Sequence, residues 1–157
     1  MILSETRLAV VELMRRYAAA VDRADWDTVR DCYFPDAIDD HGVVKGTRDD
    51  LIRYFSKSLG VFDRTLHLVG EPEITICGDQ KYEVRTPCIA LHWAEKGNAA
   101  KNLLLGAIYR DVVEKRGDTC AIAARKVVIN HAFEYEGSSE EWPLKKLFED
   151  RDQRDSS

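Results

Sequence analysis

From Ser4 onward the apolar positions Val10, Leu13, Met14, Tyr17, Ala18 and Val21 recur at intervals of three and four, the stripe of one amphipathic helix with Ser4 as its N-cap. Asp22 lies about 40° around that helix from Ala18, so the acid sits beside the core-facing stripe and is aimed inward or at its edge. A second, short helix is expected from Asp25 as N-cap, carrying Trp26, Val29 and Tyr33 on one face and stopping at Pro35. A third runs from Thr47, whose Asp50 completes a capping box, through Leu51, Tyr54, Phe55 and Leu59 to Gly60 as its C-terminal cap. Between the last two, "AIDDHGVV" is too broken for a helix and reads as a short strand or hairpin.

After residue 63 the period changes. "RTLHLVG", "EPEITI", "YEVRTPCIALHWAEK", "KNLLLGAIYRDVVEKRG" and "TCAIAARKVVINHAFEYEG" are rich in β-branched and aromatic residues and are punctuated by Gly78-Asp79, Gly97-Asn98 and Gly117-Asp118. They read as antiparallel strands joined by tight turns, with Pro87 arguing for a bulge or an edge because it cannot donate to a ladder. Without a bulge, Tyr82, Val84, Thr86, Cys88, Ala90 and His92 share one face of the third of these strands. On the fourth, either Leu103, Leu105, Ala107 and Tyr109 or the alternate set faces the helices. Three helices followed by a strand meander is an α+β order, with the helices packed on one face of the sheet.

Composition narrows the picture. A chain of 157 residues is about one domain, and its net charge of -5 comes without a basic block, which argues against a nucleic-acid partner. No segment approaches the roughly 20 apolar residues that span a bilayer, and the N-terminus lacks a basic region ahead of an apolar run, so the expectation is a cytoplasmic protein without a membrane partner. Cys32, Cys77, Cys88 and Cys120 are scattered with neither a CxxC pair nor a histidine at ligand spacing, the pattern of free thiols rather than of a disulfide framework or a metal site. The C-terminal "FEDRDQRDSS" is polar and charged and reads as a loosely attached tail.

Four residues can carry chemistry on such a frame: Tyr17, Asp22, His67 and His92. Histidine is the usual general base near neutral pH, and a carboxylate bonded to its far nitrogen fixes the tautomer and stabilises the imidazolium formed on proton abstraction. Asp22 and His67 can make that pair, with Tyr17 and His92 donating to an oxygen that gains charge. The plainer reading of the same residues is a helix-end aspartate capping a loop, two strand histidines and a core tyrosine. His41 and His131 are expected to face solvent.

The segments "MRRYAAAVDRADWDTVRDCYFPDAIDD", "RTLHLVGEPEITICGD" and "RKVVINHAFEYEG" together resemble the SnoaL-like branch of the nuclear-transport-factor-2-like superfamily. Within it the likeness is to scytalone dehydratase, hexachlorocyclohexane dehydrochlorinase and bile-acid dehydratases, over about residues 5 to 136. The resemblance implies a cone of three N-terminal helices packed in a strongly curved, mostly antiparallel sheet around one deep pocket. It also implies a small-molecule substrate, no metal or organic cofactor, and assembly into homo-dimers or homo-trimers. Its most specific elements, "VDRADWD" and "RTLHLVG", imply that Asp22 orients His67 and that His67 is the base. Tyr17 matches a tyrosine of bile-acid dehydratases, and His92 falls where scytalone dehydratase has a second active-site histidine. The chain departs from that enzyme at Val21, at Asp40 and at Tyr109, where the family enzyme has two tyrosines and an asparagine, which makes scytalone itself a poor candidate substrate.

The implied activity is a lyase that removes a proton and expels water or another leaving group from a small aromatic or polycyclic compound. Trp26, Tyr33, Asp40 and Tyr109 are candidates to line the pocket. The resemblance divides the chain into a domain over 1-136 and a C-terminal segment over 137-157, whose Trp142, Leu144 and Phe148 would cover the pocket mouth. Two alternatives stand beside this reading. One is a ketosteroid-isomerase-like enzyme in which Asp40 is the base and Tyr17 the oxyanion donor; the other is a non-catalytic ligand-binding or assembly module.

Overall fold

A computed structural model describes residues 4–94 and 101–136 of the chain. Helix α1 (Ser4–Asp22) buries Val10, Leu13, Met14, Tyr17, Ala18, Ala20 and Val21, the face read from the periodicity with Ala20 added. Helix α2 (Trp26–Asp31) starts at Asp25, which caps the Thr28 amide, and it ends before Tyr33. Helix α3 (Arg48–Ser58) carries the expected capping box between Thr47 and Asp50, but it passes into a 3-10 turn over Leu59–Val61 instead of stopping at a left-handed Gly60.

Tyr33 and Pro35 belong to strand β1 (Tyr33–Asp40), not to the second helix. The register slips between Tyr33 and Ile38, and a bulge of this kind accommodates a proline that has no ladder donor. Strand β2 (Lys45–Thr47) folds back on β1, so "AIDDHGVV" is a hairpin. The remaining strands are β3 (Arg64–Val69), β4 (Glu73–Gly78), β5 (Lys81–Trp93), β6 (Asn102–Arg116) and β7 (Thr119–Tyr135). They form one sheet in the order β2-β1-β7-β6-β5-β3, with β4 also paired to β5. The sheet is mixed, since β1 runs parallel to β7 while every other pairing is antiparallel. The return of the chain to β1's side at β7 is a long-range pairing that local pattern could not announce.

Pro87 causes no bulge. Its register with β6 is unbroken, and its carbonyl accepts from the Gly70 amide at 2.8 Å, where β3 has ended and β4 has not begun. The missing N–H points to that same side, where no ladder needs it. Of the turn signals, Gly78-Asp79 and Gly117-Asp118 join β4 to β5 and β6 to β7, Gly117 taking a φ of 62° open to glycine; Gly97-Asn98 lies outside the described residues.

Alternation sorts the side chains as expected. On β5, Tyr82, Val84, Thr86, Cys88, Ala90 and His92 are all buried, and on β6 the inward set is Leu103, Leu105, Ala107 and Tyr109, continuing to Asp111 and Val113. The core joins this face and β7 to α1 and α2 through Met14, Val10, Val29, Val84, Val113 and Ile122, each worth about 1.5–3 kcal/mol of burial. The opposite face carries an apolar row in register across four strands, Leu66, Leu91, Leu104 and Phe133, of which Phe133 is 60% exposed. No helix among the described residues is long and apolar enough to cross a membrane. Trp142, Leu144 and Phe148, and with them the expected covering segment, lie outside the described residues.

Candidate active site

Asp22 is the last residue of α1, at the edge of the buried stripe, and β3 runs past it. Period two on β3 turns Thr65 and His67 to the same side, away from the exposed Leu66 and Leu68. The Asp22 carboxylate consequently meets three donors. The His67 ring lies with Nδ1 2.6 Å from Oδ1, Thr65 Oγ1 donates to Oδ1 at 2.9 Å, and the His67 amide donates to Oδ2 at 2.9 Å. Burial works against the charge on Asp22, but the bonds from His67 and Thr65 outweigh it and hold the carboxyl below its usual pKa. With Nδ1 committed to the carboxylate, His67 keeps Nε2 for another partner.

That ring opens on a cavity of about 350 Å³, at the small end of the range for ligand pockets. Its walls are mostly apolar, with Val21, Val29, Leu51, Phe55, Leu103 and Leu105 among them. Of the residues singled out in the sequence, Tyr17, Trp26, His67, His92 and Tyr109 line it. Tyr17 and Tyr109 meet edge to face with ring centroids 6.0 Å apart, and burial drives the Tyr17 phenol up to about 12, so that it stays a protonated donor. The His92 ring crosses that of His67 at 5.7 Å and sits 4.9 Å from Phe62. Burial, assisted by the neighbouring His67, lowers His92 to about 4, which keeps it neutral near pH 7.

A neutral buried histidine ties stability to pH. The folded chain releases the His92 proton at about 4, whereas the unfolded chain does so near 6.5, so the unfolded state binds more protons between those values and stability falls as pH is lowered through that window. The expected loss from this group between pH 7.5 and pH 5 is about 2 kcal/mol. Urea midpoints of the wild type and His92→Leu at both pH values measure it. The variant should be less acid-sensitive by that amount, and parallel curves would refute the assignment.

Tyr33 and Asp40 are not in the lining. Tyr33 stands behind the wall, edge on to Tyr17 at 5.9 Å, with its hydroxyl donating to Asp39 Oδ2 at 2.7 Å. Asp40 points away, accepting from the Gly42 amide at 3.0 Å and pairing with Lys45 at 3.5 Å. Alternation along β1 instead turns Asp39 inward, 1% exposed, and brings His41 to the cavity wall in place of the expected solvent position. His41 Nδ1 bonds to Asp39 Oδ1, and its ring meets Phe55 edge on at 4.9 Å. His131 is exposed, stacked on Phe133.

Beneath Tyr17 lies a second group that the sequence reading did not name. Arg125 forms a bidentate pair with Asp111 at 2.8 and 2.7 Å, both side chains fully buried, and its guanidinium lies over the rings of Tyr17 and Tyr109 at 4.1 and 4.3 Å. A charged residue in phase with Val127 and Ile129 on an apolar strand was the available signal. Among the described residues, no group of three or more His, Cys, Asp or Glu side chains is placed to hold a metal ion.

The SnoaL-like domain matches residues 3–126. The chain belongs to the SnoaL-like family. Solved structures agree on the fold of this SnoaL-like chain. A hexachlorocyclohexane dehydrochlorinase, LinA type 2, superposes with a TM-score of 0.76 at 16% identity over 85% of this chain and 90% of that one. LinA type 3 from Novosphingobium barchaimii LL02 gives 0.75 at 15% identity over 85% and 92%. A provisionally assigned scytalone dehydratase from Novosphingobium aromaticivorans DSM 12444 gives 0.73 at 18% identity over 86% and 93%. No protein of curated function matches the chain by sequence.

Proposed function

We propose that this SnoaL-like chain is a lyase that eliminates water, or another leaving group, from a small cyclic substrate by side-chain acid–base chemistry alone. The observation that carries the reading is the Asp22–His67 pair: a carboxylate satisfied by three donors holds one imidazole nitrogen at 2.6 Å while the ring faces a mostly apolar cavity. His67 Nε2 would take a proton from the carbon beside an activating carbonyl. Asp22 would fix the tautomer and stabilise the imidazolium, an arrangement typically worth 10²–10⁴ in rate. Tyr17, kept protonated by burial, and the neutral His92 would donate to the oxygen on which charge develops. A cavity of about 350 Å³ with aromatic and aliphatic walls suits one or two fused rings. Relatives of the same fold are named for elimination reactions, a dehydrochlorination and a dehydration, which supports the reaction class without fixing a substrate.

The isomerase alternative is weakened, because Asp40, its base, points away from the cavity to Lys45 and Gly42. The test is the mass of the product. Incubation with a panel of one- and two-ring β-hydroxy ketones is expected to give conjugated enones lighter by one water. A product of unchanged mass with a shifted double bond would replace elimination by isomerisation, and ligand retention without turnover across the panel would make the chain a binder.

A further inference from the structure

His41 on the cavity wall belongs to a second carboxylate–histidine pair, with Asp39 buried behind it on β1. We propose that Asp39 and His41 act as the general acid of the same reaction, His41 protonating the leaving hydroxyl while His67 takes the carbon-bound proton. This rests on the lyase reading above and divides between two histidines the acid and base roles that one could otherwise alternate.

Two features distinguish the pairs. The Asp22 carboxylate receives the Thr65 hydroxyl and the His67 amide besides the ring, so two neutral donors help to satisfy it. Asp39 is more deeply buried, at 1% exposure against 18% for the Asp22 side chain, and among the described residues its side-chain donor beyond His41 is the Tyr33 hydroxyl. His41 bonds to Asp39 on β1, whose other oxygen accepts from the Tyr33 hydroxyl, and α3 presents the apolar Phe55 to its ring; Asp111 on β6, paired with Arg125 on β7, lies within electrostatic reach. Two buried carboxyl groups stand here against one guanidinium. The backbone that carries the ring is also held, since the His41 amide donates to the Val44 carbonyl at 2.9 Å across a turn in which Gly42 takes a φ of 78°. Nδ1 is spent on Asp39, so the proton for the substrate sits on Nε2.

The step balances. The C–H bond breaks with its proton passing to His67 Nε2 and its electron pair passing into the enolate, from which it becomes the C=C bond as the leaving group departs. The C–O bond breaks, and the departing oxygen takes the proton of His41 Nε2 and leaves as water. His67 then loses a proton to solvent and His41 gains one, restoring the resting state. The substrate class follows: a β-hydroxy carbonyl compound whose acidic hydrogen and hydroxyl reach different walls of the pocket.

The experiment compares leaving groups. Wild type, His41→Gln and Asp39→Asn are assayed on the panel of cyclic β-hydroxy ketones and on their β-acetoxy analogues, because acetate departs without a proton. For the variants kcat/KM is expected to fall by about 10²–10³ on the hydroxy ketones and by less than about tenfold on the acetates. Deuterium wash-in beside the carbonyl, which reads His67 alone, should continue in both. Equal losses on both substrate series would mean that His41 only shapes the pocket, and no loss on either would remove it from the reaction; both results overturn the inference and leave the lyase reading standing. Failure of the wild type to eliminate from any member of either series overturns the lyase reading and the inference with it. Asp39→Asn, which keeps side-chain volume, serves where His41→Gln does not fold.

Discussion

His67→Ala is expected to lower kcat/KM for elimination by about 10³-fold, within the range that a positioned general base supplies, while the urea midpoint stays close to wild type. The side chain is 10% exposed and faces a cavity, so its loss removes few packing contacts. Asp22→Asn should cost nearly as much, because the aspartate acts on substrate only through the ring it holds at 2.6 Å, and an amide can present an N–H where the ring needs an acceptor. The double variant is the sharper measurement. Residues that act as one unit are non-additive, so its rate should match that of His67→Ala alone. Near-normal turnover in either single variant would sink the mechanism, and a double variant whose losses add fully would mean that Asp22 contributes independently of His67. If the chain only bound its ligand, Kd would carry whatever change the variants cause and no product would form.

The ends of this pair were legible in the sequence for physical reasons. The stripe on α1 fixes the helix phase, and from that phase Asp22 must lie at its edge. Alternation on β3 turns Thr65 and His67 together once Leu66 and Leu68 face out. Neither argument needs tertiary information. What joins the two is the packing of α1 on β3, which periodicity cannot supply and only the resemblance implied.

The β1 hairpin shows where such reasoning stops. Asp39 and Asp40 are adjacent acids, and a shift of one residue exchanges the inward for the outward one. The slip between Tyr33 and Ile38 spoils any phase counted from the start of the strand, and Tyr33 itself was assigned to the preceding helix. Counting instead from Ala37, which is 1% exposed, puts Asp39 and then His41 on the inner face. Asp40 entered through the family resemblance, which carries no strand phase, and it is this phase that turns Asp40 out and His41 in. The parallel pairing of β1 with β7 was illegible for another reason: it joins residues about 90 positions apart in the chain, and the edge a strand chooses depends on the whole sheet.

Beneath the proposed site, Arg125→Met is expected to destabilise the fold by about 3–5 kcal/mol at pH 7. Burial works against the charge on Arg125, but the Asp111 carboxylate outweighs it, and the guanidinium also lies over the Tyr17 and Tyr109 rings. Among the described residues, the side-chain donors to Asp111 are both on Arg125, so the substitution strands a fully buried carboxylate. Burial already raises the Asp111 carboxyl, and without the arginine it must rise further. A carboxyl raised on folding contributes stability below its unfolded pKa of about 3.9 and loses it as pH rises, so the deficit of the variant should be largest near neutrality and shrink toward pH 4. Arg125→Met combined with Asp111→Leu removes both charges and should recover most of the loss, since a well-packed apolar pair often matches a buried ion pair. Urea titrations of wild type, single and double variants at pH 7 and pH 4 measure all three effects. A double variant no more stable than the single one would assign the loss to the aromatic contacts of Arg125 rather than to an unpaired charge, and a single variant as stable as wild type would mean that Asp111 is neutral in the folded chain.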